Sequence, residues 1–140
     1  YKRLKAGQSC FCSDTARDFL DMSDFLRFMD MAIQQGAPTG IFNVASGESH
    51  SIKEIFDLVV DYLGLGHREV PLIAPAADDV PVVSLDASET LKAFGWRADV
   101  GFDEAIRRQL SWYDKYGVTD VFSHLKATDA SQNSGDPRHE

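Results

Sequence analysis

The sequence predicts an α/β fold, or a piece of one, and three features carry that reading. Ile41 to Ala45 is a run of five largely apolar residues interrupted by Asn43. A half-exposed strand would alternate polar and apolar, so this run predicts a strand buried on both faces. A short polar loop then leads into Ser51-Ile52-Lys53-Glu54. There Ser51 can accept from the backbone N–H three residues on while Glu54 reaches back to the N–H of Ser51, the reciprocal arrangement of a capping box. The third feature is order: helical and extended patterns are mixed along the whole chain, with only three or four strands among them.

Taken in order, Tyr1 to Ala6 reads as the end of a helix closed by Gly7, and a chain that begins inside an element predicts an upstream portion. Ser9 to Cys12 predicts a short strand, Asp14-Thr15 a turn, and Ala16 to Met22 a second extended segment. Ser23 is placed to cap a helix through Gln35, ended by Gly36 with Pro38 beyond it. Phe25, Leu26, Phe28, Met29, Met31, Ala32 and Ile33 cover most of that helix and leave a narrow polar stripe of Arg27, Asp30 and Gln34. Such a helix needs cover on more than one side.

The capped helix carries Ile52, Ile55, Phe56, Val59, Val60 and Leu63 at steps of three and four, with Gly64 as its natural end. Glu69 to Ile73 predicts another strand, and Ala74 to Pro81 an irregular stretch. Asp86 or Ser88 caps a short helix to Phe94, closed by Gly95-Trp96. A last helix from Phe102 to Tyr116 places Phe102, Ile106, Leu110 and Tyr113 on one face, with Gly117 after it. Residues 126–140 hold no large apolar side chain and predict a disordered tail behind a structured region of residues 1–125.

Composition narrows the partners. A chain of 140 residues is one domain or a large part of one. Its net charge of −8 repels phosphate backbones and anionic lipid, which argues against nucleic-acid and membrane partners while leaving room for a local basic pocket. No run approaches the ~20 apolar residues of a spanning helix, and the first residues lack the apolar core of a signal peptide, which together point to the cytoplasm. Cys10 and Cys12 are too close along one strand for an unstrained disulfide and read as reduced thiols. His50, His67, His124 and His139 are scattered singly, so no metal site is expected.

Three groups could carry chemistry. On an extended segment Arg17, Phe19 and Asp21 share one face, which presents a guanidinium beside an aromatic ring and suits a phosphate or a planar ligand. The ordinary alternative is an ion pair between Arg17 and a nearby carboxylate. Asp78 and Asp79 put two carboxylates in one loop, the raw material for acid–base work if burial raises one pKa; a single carboxylate accepting from sugar hydroxyls is the better functional version. Glu48 and His50 follow the predicted strand, where ligands gather in open α/β sheets, or else form a solvated loop around the cap. Trp96 and Trp112 read as core.

Four stretches together resemble the C-terminal part of the extended short-chain dehydrogenase/reductases, the nucleotide-sugar epimerases and dehydratases. They are Arg17-Asp18-Phe19 with Asp24; Gly40-Ile41-Phe42-Asn43-Val44-Ala45-Ser46-Gly47; Ser51-Ile52-Lys53-Glu54-Ile55; and Asp79-Val80-Pro81 leading to Asp86-Ala87-Ser88, Leu91, Phe94-Gly95-Trp96 and a final helix with Trp112-Tyr113. All four occur in the family's order. The bacterial cell-surface polysaccharide members are especially similar, down to Gly117-Val118 and Ser123-His124-Leu125.

The resemblance implies an N-terminal Rossmann half that binds NAD or NADP and a C-terminal lobe that closes over a nucleotide-diphosphate sugar. The family's Gly-x-x-Gly-x-x-Gly turn is absent from this sequence, Tyr62, Tyr113 and Tyr116 lack a lysine four residues on, and the Tyr1–Lys5 spacing falls outside the four matching stretches. No catalytic and no cofactor-binding residue is therefore assigned, and the chain by itself is expected to bind no cofactor. By resemblance, Arg17 contacts the nucleotide's phosphate or ribose and Asp79 accepts from ribose hydroxyls. Two positions depart from the family: Ala76 stands where an arginine often clamps the pyrophosphate, leaving Arg68 or Arg3 to compensate, and Asp21 stands where an aromatic or histidine is usual. The segments matching Phe25–Gln35 and Ile41–Ala45 would be the last helix and strand of the Rossmann sheet. Their partner is then an upstream Rossmann half or another copy of the chain in a homo-oligomer. A different class of reading is a stand-alone remnant that no longer catalyses and acts as an oligomeric or partner-binding module.

Overall fold

Local signals that close on themselves fold as the sequence predicts. In the computed structural model, which describes residues 1–118, the Ser51 hydroxyl accepts from the Glu54 amide while the Glu54 carboxylate accepts from the Ser51 amide at 2.6 Å. This reciprocal cap starts α3, Ile52–Tyr62. Gly64, at φ +64°, ends the helix: its amide donates to Asp61 and that of Leu65 to Val60, which satisfies two final carbonyls.

The other elements, in chain order, are α1 (Lys2–Lys5), β1 (Cys12–Ser13), β2 (Ala16–Asp18), α2 (Met22–Ala32), β3 (Ser49–Ser51), β4 (Leu72–Ile73), α4 (Ser88–Phe94) and α5 (Phe102–Tyr116). Strands β1 and β4 pair in parallel, with Cys12 opposite Leu72 and Ser13 opposite Ile73. Strands β2 and β3 pair antiparallel, with Arg17 opposite His50. On its other side β2 meets the 81–83 segment, since the Ala16 amide donates to Pro81 and the Val83 amide to Ala16.

Two clusters anchor these pieces. Cys12, Phe56 and Val60 form one, with Leu4, Cys10, Ile52, Leu65 and Val70 packed against them. Burial pushes the Cys12 thiol pKa up, so it behaves as a small apolar side chain. The second is aromatic: Phe28 meets Phe94 and Trp96 edge-on, and Phe42 meets Phe94 at 5.0 Å. Trp96 is 1% exposed and donates its indole N–H to the Asp24 carbonyl.

Several expectations are corrected. Ile41–Ala45 is not a strand: Ile41 is 99% exposed while Ala45 is buried. A strand buried on both faces needs hydrogen-bonded neighbours, and the described residues supply none there. Instead Asn43 is tied to α4 and the residue leading into it: its backbone carbonyl accepts from the Thr90 hydroxyl, and its side-chain amide donates to the Asp86 carbonyl. Asp21, not Ser23, caps α2: its carboxylate accepts from the Ser23 amide, and an anion at a helix N-terminus outcompetes a hydroxyl. That helix stops at Ala32, short of Gln35, because the Gln34 side chain takes the Asp30 carbonyl that its own amide would have used.

The short helix α4 starts after Ala87 with no side-chain cap on that residue, although Asp86 accepts from the Ser88 amide just before it. Of the strands expected at Ser9–Cys12 and Glu69–Ile73, the first is displaced to Cys12–Ser13 and the second shortened to Leu72–Ile73, and Pro71 has no N–H to extend the ladder. Trp112 is 51% exposed, not core, and rests against Tyr113 and Tyr116. The tail expected at 126–140 lies outside the described residues. Among those residues no helix is long and apolar enough to cross a membrane.

Candidate functional site

Strand β2 positions the distinctive Arg17-Asp18-Phe19 stretch, and its three side chains go to three places. The Arg17 guanidinium lies 2.8 Å from an Asp79 carboxylate oxygen and also donates to the carbonyls of Ala16 and Pro81. The backbone bonds between Ala16 and the 81–83 segment set this proximity, because they hold the Asp79 loop alongside β2. Both side chains keep solvent access, at 30% and 40% of their area. The two residues expected to contact a nucleotide are thus brought together from opposite ends of a 62-residue separation. The bond between them is also the ion pair that sequence offered as the ordinary fate of Arg17.

Asp18 turns away and holds the loop after Ala45. Its carboxylate accepts from the Ser46 amide and hydroxyl and from the Gly47 amide, all within 2.9 Å. Gly47 sits at φ +85°, where a side chain would be strained, and this lets its amide reach the same carboxylate. Phe19 packs on Phe102 at 5.6 Å.

Asp24 has a parallel task. It is 2% exposed and accepts from the Asp99 and Val100 amides and from Arg27. Burial alone would raise its pKa, but the Val100 amide, the Arg27 guanidinium and the Asp99 amide outweigh that and hold the carboxyl below its usual range. Sequence reasoning marked Asp18 and Asp24 as family signature without assigning them work. The findable signal was the phenylalanine that directly follows each, Phe19 and Phe25, since an acid that folds inward beside such a residue must meet donors.

His50 stands opposite Arg17 in the β2–β3 pair, and its side chain meets Phe102 and two glutamates instead of Asp79. The His50 ring stacks on Phe102 at 3.8 Å and 1°, with Nδ1 3.2 Å from Glu54 and Nε2 3.6 Å from Glu48. Glu48 and His50 line a surface cavity of about 130 Å³ with Phe19, Ser46, Asp99 and Phe102, which Arg17 and Asp79 do not line. Asp21 is occupied by the α2 cap and lies 3.6 Å from Arg108. Ala76 belongs to the Asp79 turn, accepting from the Asp79 amide, and Arg3 donates to the Ser9 carbonyl.

This fold is an α/β arrangement in which a charged strand and an irregular loop meet at an exposed edge. The chain is a member of the GDP-mannose 4,6 dehydratase family, whose sequence pattern matches residues 5–109. It is 30% identical over 95 residues to GDP-mannose 4,6 dehydratase 1 of Arabidopsis thaliana, covering 66% of this chain and 26% of that protein.

Among solved structures, the Bordetella bronchiseptica enzyme WbmG in complex with NAD and UDP is 65% identical, with a TM-score of 0.82 over 91% of this chain and 41% of that one. WbmH of the same organism, in complex with NAD+, is 30% identical, with a TM-score of 0.75 over 84% of this chain and 39% of that one. These relatives are NAD-dependent extended short-chain dehydrogenase/reductases matched in their C-terminal part. The chain spans about a quarter of the Arabidopsis relative and about two-fifths of the two Bordetella structures.

Proposed function

We propose that this chain is the nucleotide-sugar-binding portion of an NAD(P)-dependent sugar-nucleotide epimerase or dehydratase, working in the cytoplasm on precursors of cell-surface polysaccharide. In this reading Arg17 takes the nucleotide's phosphate or ribose, and Asp79 accepts from ribose hydroxyls. The observation that carries it is the convergence of Arg17 and Asp79 on one exposed edge, at 2.8 Å and with solvent access retained. A guanidinium and a carboxylate side by side match a ligand whose anionic phosphate adjoins a diol. The 65% identity to an enzyme solved with UDP supports the same reading.

The cofactor is assigned to another part of a complete enzyme, because the described residues do not fit it. A dinucleotide's pyrophosphate rests on free amides at a helix start after a Gly-rich turn. Among the described residues, the one strand that runs straight into a helix is β3. At that helix start the Ile52 amide donates to Thr15 and the Glu54 amide to Ser51, with the Glu54 carboxylate already beside them. What remains for this chain is to bind and orient the nucleotide, with hydride and proton transfer left to residues outside it.

A second reading, a non-catalytic oligomeric or partner-binding module, is favoured by the exposed apolar side chains of α2 and by Ile41. Titration calorimetry of the 140-residue chain with UDP, dTDP, GDP and their sugars separates the two. Binding of one of these, weakened at least about tenfold by Arg17→Ala, is the expected result. A folded protein that binds none of them would sink the first reading.

A further inference from the structure

The edge that holds Arg17 and Asp79 carries more than two ligand contacts, because the two groups neutralise each other. We propose that the Arg17–Asp79 ion pair is a latch which a nucleoside diphosphate must exchange. The phosphate displaces the Asp79 carboxylate from the guanidinium, and the freed carboxylate turns to the ribose hydroxyls. This rests on the reading that Arg17 and Asp79 bind the nucleotide.

Three observations support the exchange. First, the guanidinium is engaged on both terminal nitrogens: Nη2 donates to Asp79, and Nη1 to Ala16 at 2.8 Å and Pro81 at 3.3 Å. An incoming phosphate meets an arginine already directed at acceptors, and only the carboxylate among them is anionic. Second, both side chains are part-exposed, at 30% and 40%. An ion pair so placed is worth little, so a doubly charged phosphate with several acceptor oxygens can replace it. Third, the backbone beneath is fixed by the Ala16–Pro81 and Val83–Ala16 bonds, while the tip bearing Asp79 is held by a single turn bond to Ala76. The exchange therefore needs rotation of side chains on a set frame.

The latch makes a prediction that simple ligation does not. If Asp79 only accepts from ribose, every change to it weakens nucleoside and nucleotide alike. If it also competes with phosphate for Arg17, Asp79→Asn keeps a carbonyl acceptor for ribose while removing the competitor. The test is calorimetry on the full 140-residue chain with UDP and uridine, for the wild type, Asp79→Asn and Arg17→Ala, with circular dichroism confirming that each is folded.

The expected result is that Asp79→Asn raises the ratio of UDP affinity to uridine affinity about three- to fivefold, the scale of one exposed ion pair. Arg17→Ala should bring UDP down to the affinity of uridine. Asp79→Asn weakening both ligands equally, or leaving both unchanged, overturns the latch while preserving the nucleotide site. Absence of binding by the wild type to either ligand removes the site itself, and the latch with it.

Discussion

Asp24 shows how much one side chain can hold. Its carboxylate ends three donors and its carbonyl a fourth, the Trp96 indole, all in a nearly dry environment. Asp24→Asn leaves the shape but removes the charge that Arg27 and two amides face. The expected loss is about 2–4 kcal/mol of unfolding free energy in urea at neutral pH. Because the folded carboxyl titrates below its ordinary value, its stabilisation is present above about pH 4 and is lost as pH falls toward the lower folded value. The gap between wild type and variant should therefore narrow on acidification below that point; a gap that stays constant would argue against the charge. Residue identity alone gave the position of this aspartate but not the Asp99 and Val100 amides it meets, which lie about 75 residues away. Arg17 and Asp79 were legible as site residues through family likeness, and their mutual bond was legible only as one alternative among many acids.

At the scale of elements, legibility followed range. The capping box of α3 involves four consecutive residues, so the sequence contains the whole interaction; the same holds for the Gly64 end and for α5, found from Phe102 to Tyr116 as expected. Ile41–Ala45 failed for the converse reason, since a strand exists only where another strand lies beside it. The Asp21 cap was missed because Asp and Ser two residues apart can both cap, and only the folded backbone brings the Asp21 carboxylate to the Ser23 amide. Ser51 also sits opposite Ala16 in the β2–β3 pair, so its cap steadies the strand that bears Arg17. Ser51→Ala should cost about 1 kcal/mol in urea unfolding and speed amide exchange at Glu54. Unchanged exchange there would show that the cap is dispensable.

Across the whole molecule, apolar surface is unevenly finished. Leu26 and Met22 on α2 and Ile33 just after it are 55%, 66% and 72% exposed, and Ile41 is 99% exposed. Each large side chain left in water forfeits roughly 1.5–3 kcal/mol, so a surface this rich in them favours contact with another surface. The 140-residue chain should scatter light as a dimer or larger species, and Leu26→Lys with Ile33→Lys should restore a monomer. A monodisperse wild-type monomer would contradict this. The helix composition made that surface readable in advance, whereas the finer placement of Trp112 was not, since its i, i+4 pattern suits core and surface equally. The Asp24 bonds also impose a timetable on synthesis. A ribosome delivers α2 some 75 residues before the Asp99 and Val100 amides exist, so the helix must wait, unsecured, until most of the described chain has emerged and a long loop can close.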